Sequence, residues 1–437
     1  MWPYHPELLA TPVPRYTSFP TAAEFTPDVG PNDLLNAVRG ATGDVSLYLH
    51  MPFFQSICWY CGCNTGRANR LERLTGYLAA LNREIGLIGA QLPAGARVRH
   101  IAFGGGSPNA MAPTDFVRLV IALTLCMPLD APQISVELDP RSLDRQWGEA
   151  LAGVGARRAS LGVQTFSAHI QRAIGRVQPF ALIADCVALL RRSGITSLNF
   201  DLMYGLPTQT LDDLEDTIER TIALGADRIA LFGYAHVPHL IPRQRKIDAA
   251  KLPDAAMRFG MAAYGRGRLV EAGYVAVGFD HFALPGDPLA QAALSGRLHR
   301  NFQGFTDDDA PILIGLGASA ISTFPELLAQ NEKNNGRYSM LVSGDRLATV
   351  SGWRRSGDDR ARGEVIERLL CTGTAEVTAF VTTDVADGLR PYIAAGLAWI
   401  ESGILHIAPP GLPYARSIAA AFDPYRQDSV RRFSSAV

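Results

Sequence analysis

From about residue 45 to about residue 322 the chain alternates short runs rich in β-branched and aromatic residues with amphipathic stretches. The runs "VSLYLHM", "VRHIAFGG", "ISVELD", "RASLGVQTF", "SLNFDLMYG", "RIALFGYAH" and "YVAVGFDHFA" all read as buried strands. Between them the apolar period lengthens to that of a helix. "LTGYLAALNREIGLI" places Leu74, Leu78, Leu81, Ile85 and Ile88 on one face. "QTLDDLEDTIERTIAL" opens with Thr210 three residues before Asp213, a capping-box start, and puts Leu211, Leu214, Ile218 and Ile222 on one side. Strand followed by helix, several times over, predicts parallel strands with helices outside. The pattern alone does not choose between an open sheet and a barrel.

After about residue 350 the texture changes. "GDDRARGEVIERLLC" and "GLRPYIAAGLAWIESGILHI" read as helices followed by a short extended segment near "GILHI", a small helical domain with room for a wing-like hairpin. The first residues, "MWPYHPELLATPVPRYTSFP", hold five prolines and are expected to wrap over the main domain rather than fold alone. The expected division is an N-terminal extension at 1–44, an α/β domain at 45–330 and a mainly helical C-terminal domain at 331–437.

Composition narrows the partners. A chain of 437 residues with 47% hydrophobic and 19% charged residues is an ordinary globular protein with a large core. The formal net charge of -1 gives no bulk attraction to nucleic acid or to an anionic membrane, so neither is expected. No apolar run nears the roughly 20 residues of a membrane span. The N-terminal stretch lacks a basic region followed by an apolar block, which predicts a cytoplasmic protein.

In strand–helix architectures chemistry gathers where the strands end. The polar and glycine-rich residues fall at those ends: "GGGSP" after "HIAF", Glu137 and Asp139 in "VELDP", Gln164 after "SLGV", and Asp201 in "NFDLMYGLP". One active site drawn from several loops is the expectation.

Six cysteines in so long a chain make a poor disulfide framework. Cys126, Cys186 and Cys371 stand alone in apolar helical surroundings and read as structural thiols. Cys58, Cys61 and Cys63 cluster in "HMPFFQSICWYCGCN". A zinc knuckle would need a fourth ligand, with His50 the nearby imidazole. A dithiol redox pair usually opens a helix in a thioredoxin-like unit. An iron–sulfur cluster favours soft thiolates delivered from one tight loop. The spacing alone leaves all three open.

The surroundings carry a resemblance. "PRYTSFPTA", "SLYLHMPFFQSICWYCGC", "FGGGSPNAM", "ISVELDP", "SLGVQTF", "NFDLMYGLPTQT" and "LHRNFQGFT", in this order, resemble the radical S-adenosylmethionine (SAM) enzymes of the oxygen-independent coproporphyrinogen III oxidase family. The resemblance runs from about residue 14 to Ile321 and more weakly beyond. It implies a partial (β/α) barrel and a [4Fe–4S] cluster on a Cys-x3-Cys-x2-Cys loop. It also implies SAM bound at the open iron. An electron donor would split SAM, and the 5'-deoxyadenosyl radical would abstract hydrogen from propionate side chains of a tetrapyrrole. Loss of carbon dioxide would leave vinyl groups, in haem biosynthesis. A monomer is expected.

Carried over residue by residue, the resemblance places Cys58 and Cys61 on the second and third cluster ligands. Cys63 falls on a further cysteine that the family does not normally use as a ligand. Phe54 falls on the first ligand, and a phenyl ring cannot bind iron. Tyr48, Glu137 and Ile321 match contacts to a first SAM, with Gly105, Gly106 and Ser107 in the loop that receives its amino group. Tyr60, Gln164, Arg176, Asp201 and Ala235 match contacts to a second. Four substrate carboxylates ask for basic partners. Arg300 lies inside the matched "HRN" motif, "PRQRK" offers Arg243, Arg245 and Lys246, and "PRY" offers Arg15.

Two functions follow from Phe54. One is an active radical SAM enzyme in which Cys63 or an outside ligand replaces the lost cysteine. The other is a catalytically impaired relative that binds SAM, haem or a porphyrin.

Overall fold

The computed structural model describes residues 2–62, 66–67 and 71–426. Its frame is a 12-stranded sheet. In chain order the strands are β1 (Gly43–Met51), β2 (Ala96–Gly105), β3 (Leu129–Leu138), β4 (Arg158–Gln164), β5 (Ser197–Tyr204) and β6 (Arg228–Gly233). They continue as β7 (Val275–Val277), β8 (His281–Ala283), β9 (Ile312–Leu316), β10 (Ile321–Phe324), β11 (Leu327–Asn331) and β12 (Thr349–Arg354). The spatial order is β12-β11-β10-β9-β1-β2-β3-β4-β5-β6-β8-β7.

From β9 through β1 to β6 every neighbouring pair is parallel. Both flanks are antiparallel. The edge strands β12 and β7 do not pair, so the sheet stays open, the partial barrel that the resemblance implies. Val45, Leu47 and Leu49 of β1, Ile101 and Phe103 of β2, and Leu198, Phe200 and Leu202 of β5 are all buried. Parallel strands are covered on both faces, which is why they read as continuous apolar runs.

The helix over Leu71–Gly89 packs as its pattern predicts, with Leu74, Leu78, Leu81, Ile85 and Ile88 buried. The helix over Leu211–Ala223 carries its capping box, Thr210 with Asp213. Its buried face is turned from the predicted one: Thr217 and Thr221 are buried with Leu214 and Ile218, while Leu211 is exposed. The two threonines satisfy their hydroxyls on carbonyls four residues back, so they enter the core at no hydrogen-bonding loss.

Two segments depart from expectation. "YVAVGFDHFA" is not one strand but two, β7 and β8, folded into an antiparallel hairpin. Gly278 makes the turn at φ +58°, where a Cβ would lie 2.1 Å from the Phe305 ring. In the C-terminal region, "LAWIESGILHI" is a hairpin of Ala398–Glu401 and Ile404–Ile407 rather than an extension of the helix over Thr383–Ala394. Gly396 at φ +69° stops the helix, and Ser402 and Gly403, both at positive φ, form the tight turn. Thr374–Glu376 adds a third antiparallel strand.

The proline-rich N-terminal segment docks largely on this C-terminal region. The Tyr414 hydroxyl donates to Pro3 O at 2.7 Å and accepts from His5 N at 2.8 Å. Tyr16 Oη donates to Asp423 Oδ2 at 3.0 Å. Among the described residues no helix is long and apolar enough to cross a membrane.

A buried carboxylate joins the helix over Leu71–Gly89 to the end of β11 and to the segments that follow β9 and β11. Glu84 accepts hydrogen bonds from Gly317 N, Asn331 Nδ2 and Tyr338 Oη, each at 2.7 Å. Tyr77 Oη continues the network, donating to His50 O at 2.6 Å and accepting from Ala318 N at 3.0 Å. Burial raises the Glu84 carboxyl above its ordinary pKa, against the pull of its three donors. Truncation by Glu84→Ala leaves those donors buried without an acceptor, and the expected loss is about 3 kcal/mol or more. Glu84→Gln keeps the shape and should cost less. Urea unfolding of the two variants beside wild type checks the order; an Ala variant as stable as wild type would show that the network contributes nothing.

Candidate functional site

The site begins with three glycines at the end of β2. A Cβ on Gly104 would lie 2.5 Å from the Glu137 carboxylate. On Gly105, at φ +94°, it would lie 2.2 Å from the His50 ring. On Gly106 it would lie 2.3 Å from Met51 O and 2.7 Å from Phe53 O. Only residues without side chains let the end of β1, the end of β3 and the cysteine loop meet at this point. Ser107 N then donates to Phe53 O at 2.9 Å, tying the glycine loop to the residue before Phe54.

The cysteine loop is held by buried polar groups. Cys58 is buried, and its Sγ accepts from Arg176 Nη1 at 3.3 Å. Arg176 is itself buried and also donates to Gly162 O and Gln178 Oε1. Its Nη2 lies 3.5 Å from Asp139 Oδ1. Asp139 pairs with Arg141 at 2.6 Å, and Arg141 reaches Ser56 O at 2.9 Å. Asp139 N donates to Ser107 Oγ at 3.2 Å, which brings the circuit back to the glycine loop. Trp59 N donates to Ile174 O, and Tyr60 O accepts from Gln244 Nε2 at 2.9 Å. Phe54, half-buried, pairs in parallel with Arg67 in a short extended segment. Cys61 is partly buried, and Cys63 lies outside the described residues.

Two carboxylates lie near this region, Glu137 at the end of β3 and Asp201 inside β5, three residues short of the strand end that the sequence suggested. Burial pushes the Glu137 carboxyl up to about 7, opposed by the Gly105 N–H it accepts at 3.0 Å and by Gln303, and reinforced by Asp201. Asp201 is likewise raised by burial, although Asn199 Nδ2 at 2.8 Å and Ser160 Oγ at 3.1 Å pull it back. Tyr48 stacks edge-on against Phe302 and bonds His50 Nδ1 at 3.2 Å. Gln164 is buried at the end of β4 in a left-handed conformation, φ +67°. Ile321 opens β10, its backbone tight against Gly315.

Beside the strand ends lies a cavity of about 670 Å³. Ala235, Arg300 and Arg15 line it; Arg243, Arg245 and Lys246 do not. These last three sit on a 3₁₀ turn over Pro242–Lys246, where Gln244 is buried against Tyr60 and Ala235 and the Lys246 ammonium stands 5.7 Å from the Trp59 ring centre. Two cavity arginines, Arg258 and Arg416, were not singled out from the sequence. They lie in ordinary helical text, "DAAMRFG" and "YARSIA", with no motif around them. Arg141 stands one residue past the "VELDP" motif, and its pairing with Asp139 two residues before it was also missed.

Residues 49–221 match the Radical SAM superfamily. The oxygen-independent coproporphyrinogen III oxidase of Bradyrhizobium diazoefficiens is 40% identical over 437 residues, covering 97% of each chain. The enzyme of that name from Escherichia coli K12 is 36% identical, covering 96% of this chain and 94% of its own. A solved coproporphyrinogen III oxidase from Escherichia coli, described as a radical SAM enzyme, superposes with a TM-score of 0.91 at 33% identity, over 97% of this chain and 99% of that one.

The glycine loop generates a direct test. Gly106→Ala drives a methyl group into two backbone carbonyls that cannot swing away, so it should destabilise the chain by about 1–3 kcal/mol. Gly86→Ala, in a helix with nothing within 4 Å, should instead stabilise by about 0.5–1 kcal/mol. Thermal midpoints of the pair measure the contrast, and similar shifts for both would contradict the close approach.

Proposed function

The chain belongs to the oxygen-independent coproporphyrinogen III oxidases of the radical SAM superfamily, and from that membership we propose how its own residues serve the reaction. The reaction is the oxidative decarboxylation of coproporphyrinogen III propionates to vinyl groups, giving protoporphyrinogen IX in haem biosynthesis. The impaired-relative reading is not favoured, since the relatives that carry the enzyme's name match the chain almost end to end.

One observation supports the assignment of roles most directly. The glycine loop, the carboxylates of β3 and β5 and the cysteine loop converge, tied through Arg176 and Asp139, beside a large basic cavity. The residues fit SAM: the close-packed glycines leave backbone groups accessible, and Glu137 offers a carboxylate to a cationic ligand. Tyr48, Gly105, Gly106, Ser107, Glu137 and Ile321 would hold a first SAM. Tyr60, Gln164, Arg176, Asp201 and Ala235 would hold a second. SAM held by these residues would supply the radical chemistry of the propionate decarboxylation. The chain's part is to orient the ligand and to keep water from the site, through the buried strand ends. Arg300 is the proposed carboxylate contact of the tetrapyrrole.

The cluster is less well served. Among the described residues the loop offers two thiols, Cys58 and Cys61, and no group of three metal-ligating side chains. That donor set does not fit a three-thiolate anchorage, because position 54 carries a phenyl ring. The third thiolate has to be Cys63 or come from outside the chain.

Two experiments follow. Reconstituting wild type, Phe54→Cys and Cys63→Ser with iron and sulfide, then counting iron and measuring 5'-deoxyadenosine, separates the two sources of the third ligand. Low iron in wild type and a clear gain in Phe54→Cys are expected. Loss of the wild-type cluster in Cys63→Ser, with no gain from Phe54→Cys, would reverse the reading of Phe54. The second uses the raised Glu137 carboxyl. A cationic ligand prefers the ionised form, so SAM affinity of the cluster-free protein should rise by up to about eightfold from pH 6 to pH 7.5, as Glu137 ionises. Calorimetry on Glu137→Gln should show a flat profile; a wild-type profile that is equally flat would remove Glu137 from the SAM site.

A further inference from the structure

We propose that Arg258, Arg300 and Arg416 form a cationic wall that binds substrate carboxylates, which makes Arg258 and Arg416 specificity-determining residues of a tetra-acid pocket. The proposal rests on the substrate reading above and deepens it.

The three guanidinium groups come from distant parts of the chain and line the same cavity. Arg258 projects from the helix over Ala255–Glu271; its Nη2 donates to Tyr234 O at 2.8 Å, while its Nε is buried with no hydrogen-bond partner. It lies against Gly205, where a Cβ would be 2.8 Å from Nε, so the chain gives up a side chain to admit it. Arg300 donates Nε to Arg15 O at 3.2 Å and stands 4.5 Å and 5.0 Å from the centres of the Phe305 and Phe279 rings. Its Nη1 is buried and also unpartnered. The Arg416 guanidinium stands 5.5 Å from the centre of the same Phe279 ring.

Among the described lining residues Asp280 is the one carboxylate. It is already engaged by His281 Nδ1 at 2.7 Å. Burial would raise it, but His281, Arg300 and Arg416 outweigh burial and hold it below the ordinary carboxylate range. The cations therefore outnumber the anions on this wall. Burial lowers the pKa of Arg258 and Arg300 and pushes Arg416 down to about 10, because all three guanidinium groups are withdrawn from water. Buried charge of one sign is costly unless a ligand supplies the other. Planar guanidinium groups pair with carboxylates through two parallel hydrogen bonds.

The remaining walls suit a macrocycle. Tyr204, Phe279, Phe282 and Phe302 give apolar faces, and the volume is that of a pocket for a sizeable organic ligand. Gln303 lines the cavity and also hydrogen-bonds Glu137, so the basic pocket adjoins the strand-end carboxylate. A ligand whose carboxylates rest on the arginines would have its body on the aromatic faces and its other rim toward the strand ends. A structural role for each arginine predicts no preference for charged over neutral ligands, and that difference is measurable.

The test titrates the full chain, by fluorescence, with coproporphyrin III and with its neutral tetramethyl ester. Wild type should bind the tetra-acid at least about tenfold more tightly than the ester, roughly 1.4 kcal/mol. Arg258→Gln and Arg416→Gln should each lose about tenfold for the tetra-acid and nothing for the ester. Arg→Lys at either position should recover part of the loss, since charge returns without the planar fork. Equal loss for acid and ester would mark the arginines as structural and overturn the wall. Variants that bind the tetra-acid like wild type would overturn it too, leaving the family's reaction intact. A wild type that binds no porphyrin would overturn both the wall and the substrate reading.

Discussion

A single buried guanidinium organises the centre of this protein. Arg176 reaches the Cys58 sulfur, the end of β4 and Asp139 at once, so the cysteine loop cannot move independently of the sheet. Charge in such a place is stable only while every partner is present. Burial works against the cation, and Tyr60, Asp139 and Cys58 more than offset it, keeping Arg176 above its ordinary pKa. The glycine loop, one hydrogen bond further on, inherits its position from the same circuit.

The backbone around position 54 is fixed from the same side. Phe54 sits in a segment whose backbone is fixed by Ser107 and by pairing with Arg67. These are backbone contacts, made without the atoms of the position 54 side chain.

Much of the frame was legible in the sequence because parallel strands buried on both faces leave a continuous apolar signature, as "VSLYLHM" and "SLNFDLMYG" do. The failures have local causes. "YVAVGFDHFA" hides a turn at Gly278 because apolar residues flank it on both sides. "LAWIESG" keeps a helical look although Ser402 and Gly403 turn it back as a hairpin. Of the site, the strand-end residues were readable since their positions follow from topology, whereas Arg258 and Arg416 were not. Each becomes interesting only when folding carries it to a cavity built from other segments.

The cavity is bordered by Trp2 and Arg15 near one end of the sequence and by Pro413 and Arg416 near the other. The parallel strands are complete by Leu316, and the whole sheet by Arg354. During synthesis the strand-end half of the site can thus assemble before the last wall of the basic pocket has been translated. The order of manufacture is built into the topology: the strand ends first, and the basic cavity only after the C-terminal region has met the N-terminal strap. Until then a nascent chain has no finished cavity.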